Sequence, residues 1–462
     1  MGDNGAAKAE RRLVAITGDT HLGNRNVDFA PYFDPEHRQA YIDFEDMAKR
    51  AAEVMKERLS SGGIDALVSS MGTAGDMSMM AGIAAGGGMG AVLVDNARTG
   101  TVPYSPEYIA ENVKVRKEFM AGLGITGWDD LDVMTVWGED DPDLRVKMLE
   151  ADGQVGQVLF PQIGFLLSSL GPELKWAGIR AYNRWAAEFA ATHPDRLAAC
   201  FMVELDDIER ACEEARFAAE HNMRGGSYIG GGVPVGLQPF NSDYYAPYFR
   251  LLEELEMPFN MHAAFSPSSA SATWGGGLGG VAFSQIGLHF DSLGKGGPLY
   301  HWIFGGVFER HPKLQIVVAE TGGCYWGTEV IELLDELYDA QDMRSGIGKR
   351  NMNPVMAEHF RELPRKPSEY FRDHVTLQGH NSPRDWSVIG SAGYRCLWSS
   401  DFPHPESSWP FSRGEIQENI AEHRPSFDDV QDYLAGNAAR LYKFDLAKLQ
   451  PIADEVGPIY VD

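Results

Sequence analysis

The feature that most constrains the fold is a repeated pair of elements, an apolar strand followed by a helical pattern. Eight apolar segments of strand length occur, at 13–19, 154–161, 196–205, 223–230, 257–262, 314–320, 374–380 and 395–401. Helical patterns lie between them at 178–192, 207–221, 244–256, 299–311 and 326–340. This alternation is typical of a parallel sheet, and near-continuous apolar strands indicate burial on both faces. The sequence therefore predicts an α/β fold, a (β/α)8 TIM barrel with C-terminal helices.

One long segment does not follow the barrel pattern. We predict that residues 1–462 form a single TIM-barrel domain and that 22–150 is a cap inserted after the first strand. The insertion contains a Met- and Gly-rich stretch at 69–90, which suits an adaptable surface for a bulky apolar ligand. A glycine loop with core methionines is the alternative. A second loop-rich stretch, 264–298, follows the fifth strand, and we expect both segments to line the entrance.

Composition excludes several classes of protein. The net charge of −26 argues against nucleic-acid binding, for which a basic face is expected. No run of 18 or more apolar residues occurs, so we predict no membrane span. The first residues are polar and lack the apolar core of a secretion signal. The four cysteines are scattered, with no CxxC pair, which favours a reduced, cytoplasmic protein.

Five of the predicted strands end in a side chain that can bind a metal. In a barrel the carboxyl ends of all strands open on one face, where catalysis occurs, so residues far apart in sequence meet there. Each residue alone has a structural interpretation, such as a helix cap or a turn held by side-chain bonds to the backbone. Their joint placement predicts a metal site. The candidates are Asp19 with His21, His262, Glu320, His380 and Asp401, and His404 follows in a proline-rich turn.

Several motifs resemble the amidohydrolase-related (amidohydrolase-2) barrel family. They are "GDTHLG", "FNMHA", "GGVFERHPKLQIVVAETGG", "LWSSDFPHPESSWP" and "GNAARLYKFD", and the resemblance covers the first strand and about 140–446. The family contains hydrolases and nonoxidative decarboxylases of aromatic and unsaturated acids. The resemblance implies that its common metal-ligand set maps onto Asp19, His21, His262 and Asp401.

The chain departs from the decarboxylase pattern at the sixth strand. Those relatives typically carry a histidine in an "AHGGG"-like turn, whereas this chain reads "AETGG" with Glu320. We expect a carboxylate there to be a better metal ligand or bridge than a proton shuttle. One tetrahedral zinc needs three or four protein ligands, so seven candidates fit two metals better. Mixed imidazole and carboxylate ligation suits iron, but composition does not separate two irons from two zincs.

The resemblance extends to a branch of these barrels that activates dioxygen at a nonheme iron pair, as in platensimycin-type diterpenoid biosynthesis. It implies a dinuclear iron monooxygenase that hydroxylates a bulky apolar acid or its coenzyme A thioester. Dioxygen and a separate reductase would be its partners, with Glu320 and Asp401 as catalytic residues and a homodimer as a candidate assembly. The alternative is a hydrolase or nonoxidative decarboxylase at Zn or Mn, with Asp401 or Glu320 as the general base. A noncatalytic binding barrel is the third hypothesis.

Overall fold

The computed structural model describes most of the barrel and part of the insertion. The described residues are 11–23, 27–47, 50, 106–126, 141–162, 171–230, 238, 240–262, 299, 302–303, 305–320, 323–339, 363–379, 381–404 and 407–460.

Eight parallel strands form one sheet in sequence order. They are β2 (Ile16–Leu22), β3 (Gly156–Pro161), β4 (Leu197–Met202), β5 (Gly226–Gly230), β6 (Phe259–His262), β7 (Ile316–Ala319), β8 (Val375–Gln378) and β9 (Arg395–Leu397). A separate antiparallel pair, β1 (Arg11–Arg12) and β10 (Ile459–Tyr460), joins the two ends of the described chain. The TIM-barrel prediction is confirmed.

The barrel closes where the chain after β9 lies beside β2. The backbone amide of Gly18 donates to the carbonyl of Trp398 at 2.8 Å, and that of Asp401 donates to the carbonyl of Asp19 at 3.1 Å. Further along, the amide of His21 donates to the carbonyl of Phe402 at 2.8 Å. We call this contact between β2 and residues 398–402 the closing seam. The seam brings the first and last ligand-bearing segments of the sequence side by side.

Helices surround the sheet because their apolar faces pack on the outward side chains of the strands. The helix Pro172–Ala191, for example, buries Ile179, Tyr182 and Ala186 against the core. The described helices are 35–47, Pro106–Gly122, Pro142–Ala151, Pro172–Ala191, Ile208–Glu220, Ala246–Leu255, Val307–Arg310, Gly327–Asp339, Pro367–His374, Pro383–Trp386, Ser412–His423, Phe427–Gln431, Asn437–Tyr442 and Leu446–Val456, with a π-helical turn at Asp432–Gly436 and 3-10 turns at Ala30–Tyr32 and Asp243–Tyr245.

The first barrel strand differs from its predicted bounds. We expected it to end at Asp19, but β2 continues to Leu22 and all seven of its residues are buried. The apolar run ends before Asp19, yet the backbone of residues 20–22 still pairs with β3. The backbone pairing of β2 therefore extends beyond its apolar residues, and the predicted end of this strand was wrong.

Part of the 22–150 insertion contacts the loop that follows Asp401. Val113 and Met120 of the helix Pro106–Gly122 form a small apolar cluster with Met148, Phe402 and Trp409. The indole Nε1 of Trp409 also donates to the carbonyl of Met148 at 3.3 Å. The stretches 69–90 and 264–298 lie outside the described residues, so the entrance role of both segments stays a prediction.

All four cysteines are buried free thiols. No helix in the described part of the chain is long and apolar enough to cross a membrane.

Gly225, which directly precedes β5, packs closely against the backbone of β4. A methyl group at Gly225 would lie 2.5 Å from the carbonyl carbon of Ala199 and 2.5 Å from the amide nitrogen of Cys200. Because these backbone atoms cannot move independently, we expect Gly225→Ala to lower the free energy of unfolding by about 1–3 kcal/mol. Urea denaturation measures the change.

Gly414 provides the matched control for this substitution. A methyl group there meets no described atom within 4 Å, and the residue lies in the helix Ser412–His423. Gly414→Ala should therefore raise the free energy of unfolding by about 0.5–1 kcal/mol. Equal stability of the two variants would contradict the tight strand contact at Gly225.

Candidate metal centre

Two candidate ligands come from the same strand. Asp19 and His21 are two positions apart in β2, and alternate residues of a strand face the same side. Both are buried. An oxygen of Asp19 lies 3.7 Å from Nε2 of His21. The extended β2, rather than a loop after it, therefore positions both side chains.

A third ligand candidate arrives from β6 on the opposite part of the barrel. His262 is the last residue of β6, and its Nε2 lies 3.3 Å from the other oxygen of Asp19. The rings of His21 and His262 meet edge to face, with 5.1 Å between their centroids. Asp19, His21 and His262 therefore have ligand atoms within 4.8 Å of one another, close enough to share a metal ion.

The loop after β9 supplies a second group of donors. Nε2 of His21 lies 3.0 Å from an oxygen of Asp401, which is fully buried. Nδ1 of His404 lies 3.1 Å from the same carboxylate, and its Nε2 lies 3.2 Å from Oε1 of Gln162. His404 also stacks on His21, with 3.9 Å between the ring centroids. Asp401 therefore connects His21 with His404.

Glu320 contacts the cluster through His262. Its Oε2 lies 3.3 Å from Nδ1 of His262, whereas Nε2 of that ring faces Asp19. A carboxylate on the far nitrogen of a ligand histidine fixes the ring and its tautomer. The geometry therefore favours Glu320 as the residue that orients His262; its predicted roles as metal ligand and catalytic group stay predictions.

Two of the candidate residues have unusual backbone conformations. Glu320 has φ of 48° and Asp401 has φ of 58°, in the left-handed region that non-glycine residues rarely occupy. Such conformations cost about 1–3 kcal/mol each and cluster at functional sites. The loop after Asp401 also contains two cis peptide bonds, Phe402–Pro403 and Trp409–Pro410.

Burial favours the neutral imidazole of His21, whereas the neighbouring histidines keep the Asp401 carboxylate charged. Burial and the neighbouring His404 lower the pKa of His21 to about 4, against the opposing effect of Asp401 and Asp19. Burial alone would raise the pKa of Asp401, but His404 and His21 hold it well below its usual range. His21 is therefore neutral at pH 7, as a metal ligand must be, while Asp401 is ionised.

Burial also raises the pKa of Glu320 to about 7; His262 opposes the shift, and Asp401 adds to it. The rise is mainly the cost of burying the charged form, and the neighbouring carboxylates of Asp401 and Asp19 add to it. A cation bound there would act in the opposite direction and favour the ionised form.

The residues present fit a divalent cation. Both carboxylate oxygens of Asp19 are buried and accept no hydrogen bond from any described residue. A buried carboxylate without such partners is costly unless another charge compensates it. Imidazole nitrogens of His21 and His262, which can bind a metal themselves, lie 3.7 and 3.3 Å from its oxygens. A bound cation would supply the missing compensation.

The structure brings together six of the seven predicted metal ligands, and His380 lies outside the described residues. Their assignment as ligands stays a prediction. Sequence reasoning missed three neighbours of the site. Gln162 follows β3 directly, so the strand-end criterion that selected Asp401 would have selected it. Tyr228, whose ring centroid is 5.9 Å from that of His262, lies in the weakest predicted strand. Arg145 lies in a helix and has no motif to reveal it.

The fold and the donor set define a metal-binding TIM-barrel protein. The family model described as Amidohydrolase matches residues 124–444, more than half of the chain, and the chain belongs to this family. None of the curated proteins compared with the chain matches it.

Solved structures share the fold at low sequence identity. An amidohydrolase from Mycobacterium avium subsp. paratuberculosis K-10 is 22% identical, with a TM-score of 0.53 over 71% of this chain and 82% of its own. A dihydroxybenzoic acid decarboxylase from Polaromonas sp. JS666, with bound manganese and the inhibitor 2-nitroresorcinol, is 20% identical, with a TM-score of 0.51 over 71% and 93%. A 2,6-dihydroxybenzoate decarboxylase complexed with 2,6-dihydroxybenzoate is 20% identical, with a TM-score of 0.51 over 70% and 95%.

The raised pKa of Glu320 predicts how stability depends on pH in the metal-free protein. A carboxyl whose pKa rises from 4.5 to about 7 on folding stabilises the fold below pH 4.5, and this stabilisation is lost as the pH rises through 7. Between pH 5 and 8 the parent should therefore lose up to about 3 kcal/mol relative to Glu320→Gln. Urea denaturation in the presence of a chelator measures the difference.

Glu173→Gln is the control, because Glu173 forms an exposed ion pair with Arg210 at 3.1 Å, and exposed pairs contribute about 0–1 kcal/mol. If the free energy of unfolding changes equally with pH in the parent and in Glu320→Gln over this range, the raised pKa of Glu320 is contradicted.

Proposed function

We propose that this chain is a divalent-metal-dependent enzyme that acts on a small organic acid by nonoxidative decarboxylation or hydrolysis. The observation that carries the proposal is the convergence of Asp19, His21, His262 and Asp401 at the carboxyl end of the barrel. Two carboxylates and two imidazoles are enough to hold one Zn²⁺ or Mn²⁺ ion. Such an ion polarises a substrate oxygen or activates water.

The residues next to the ion have further tasks, and Asp401 acts in proton transfer as well as being a ligand. Glu320, as a carboxylate, accepts a hydrogen bond from Nδ1–H of His262, which leaves the lone pair on Nε2, the nitrogen that faces Asp19. Asp401 lies closest to both His21 and His404, which suits it to move a proton to or from the substrate. His404 is held by Asp401 and Gln162 and orients the Asp401 carboxylate.

Dihydroxybenzoic acids are the first substrates to test, because two solved structures with this fold are decarboxylases of such acids. The manganese bound in one of these structures is compatible with the mixed carboxylate and imidazole donors of this chain. Family membership supports the class of reaction.

A dinuclear nonheme iron monooxygenase is the second candidate. It would use dioxygen, a reductase and a bulky apolar acid or its coenzyme A thioester. The observation that favours it is the second three-donor group, His21, Asp401 and His404. Both donor groups share His21, however, and Glu320 contacts the far nitrogen of His262 rather than lying between the groups. The single-ion site is therefore the better supported of the two.

Metal content separates these candidates. We expect one Zn or Mn per chain in protein purified without oxygen and measured by elemental analysis. Asp19→Asn should lose the ion, because it removes the charge of the buried carboxylate between His21 and His262. Glu320→Ala should keep one ion, because the side chain contacts a ligand rather than the ion.

Asp152→Asn is the matched control, since Asp152 is equally buried but bonds Gln154 and Ser412 instead, and it should keep the ion. Two irons per chain that fall to one or none in Glu320→Ala would replace the single-ion proposal with the diiron enzyme. A parent protein that binds no metal would contradict both.

The reaction itself gives an independent test. Manganese-loaded protein should release carbon dioxide from 2,6-dihydroxybenzoate in the absence of oxygen, and Asp401→Asn should lower the rate by about 10²–10⁴-fold because it removes the proton-transfer group. Carbon dioxide release and product formation are measured together. A requirement for dioxygen and a reductant would contradict the decarboxylase, whereas turnover of ester or amide analogues alone would assign the hydrolase.

A further inference from the structure

A buried arginine lies behind the candidate metal centre. Arg145 is in the helix Pro142–Ala151 and is completely buried. The side chain of Asp141 caps this helix by accepting from the amides of Asp143 and Leu144, both at 2.9 Å. The capped first turn therefore fixes the point from which Arg145 reaches the barrel.

The guanidinium group of Arg145 contacts both sides of the closing seam and the neighbouring strand β3. Its Nη1 donates to the backbone carbonyl of His21 at 2.9 Å, and its Nε donates to Oε1 of Gln157 at 2.7 Å. Its central carbon lies 4.6 Å from the ring centroid of Phe402. One side chain thus contacts β2, β3 and the loop after β9.

These contacts lie next to two candidate ligands. His21 is itself a ligand candidate, and Phe402 directly follows Asp401. Across the seam, β9 ends at Leu397, and beyond it pairing continues only through the single bridge between Thr20 and Phe402 and a few separate backbone bonds among the described residues. At its ligand-bearing end, the closing seam is therefore held by a less continuous ladder of backbone hydrogen bonds than the other strand pairs.

We propose that Arg145 is a positioning residue that holds His21 and Asp401 at the separation a metal ion requires. This inference rests on the proposed function, since it concerns the affinity of the same metal site. Arg145 acts through the His21 carbonyl and the Phe402 ring. Its planar fork donates in two directions while its face covers an aromatic ring, which the ammonium group of a lysine cannot do at once.

Arg145→Lys is the first test variant, because it keeps the buried charge and removes the fork. Phe402→Leu is the second, because it removes the ring partner and leaves the guanidinium intact. We expect Arg145→Lys to weaken Co²⁺ binding by about 10–100-fold, the usual effect of losing a group that orients metal ligands. The visible absorption spectrum of bound Co²⁺ should change as well, and Phe402→Leu should change both in the same direction.

Arg196→Lys is the matched control. Arg196 is also buried, and it donates from Nε to the carbonyl of Val155 at 2.9 Å and from Nη1 to Glu150. It precedes β4 and thus lies at the opposite, amino-terminal end of the strands. Arg196→Lys should lower the melting temperature without altering Co²⁺ affinity or spectrum. Arg145→Lys with the affinity and spectrum of the parent would overturn the inference.

A metal-free measurement separates this inference from the proposed function. The imidazole signals of His21 in nuclear magnetic resonance, assigned with His21→Gln, should shift in Arg145→Lys and stay in place in Arg196→Lys. If the parent binds no Co²⁺, the proposed function fails, but a shifted His21 signal still supports the positioning role. An unshifted signal would overturn that role whatever the metal content.

Discussion

Buried negative charge at the carboxyl end of the barrel is the constraint on which the rest of the site depends. Asp19 and Asp401 are completely buried, and Glu320 lies one imidazole ring away from Asp19. Burying such carboxylates together is expensive unless cations or donors compensate them. Because His21 is neutral at pH 7, the described side chains compensate only part of this charge. A divalent cation bound to these carboxylates would compensate the remaining negative charge.

Some of the buried ligand candidates lie on barrel strands, and others lie in loops with constrained backbone conformations. Strand β6 fixes His262 through continuous pairing with both of its neighbours. Strand β2 carries Asp19 and His21, and its register with β3 shifts between Thr17 and Thr20, beside Asp19. Asp401 lies beyond the end of its strand, in a left-handed backbone conformation, and depends on the closing seam for its place. The precision of the site therefore varies around the barrel, and the seam is the part where additional support has the greatest effect.

The sequence was sufficient to predict the eight strands, because apolar runs and the alternation with helices carry that information directly. It also selected residues that the fold brings together, since strand ends share one face of a barrel. It did not predict that β2 continues through Asp19 and His21, because backbone pairing leaves no apolar signature. Nor did it reveal which nitrogen of His262 faces Glu320, a matter of side-chain orientation. Because Glu320 contacts Nδ1 of His262 and does not lie between the two donor groups, a single metal ion is preferred over a bridged pair.

Crystals of the protein loaded with Mn²⁺ or Zn²⁺ would test the single-ion site most directly, through the anomalous scattering of the metal. We predict one peak at about 2.0–2.2 Å from donor atoms of Asp19, His21, His262 and Asp401, with Glu320 bonded to the far nitrogen of His262. Two peaks about 3.5–4 Å apart, with Glu320 bridging them, would contradict the single-ion site and support a dinuclear enzyme.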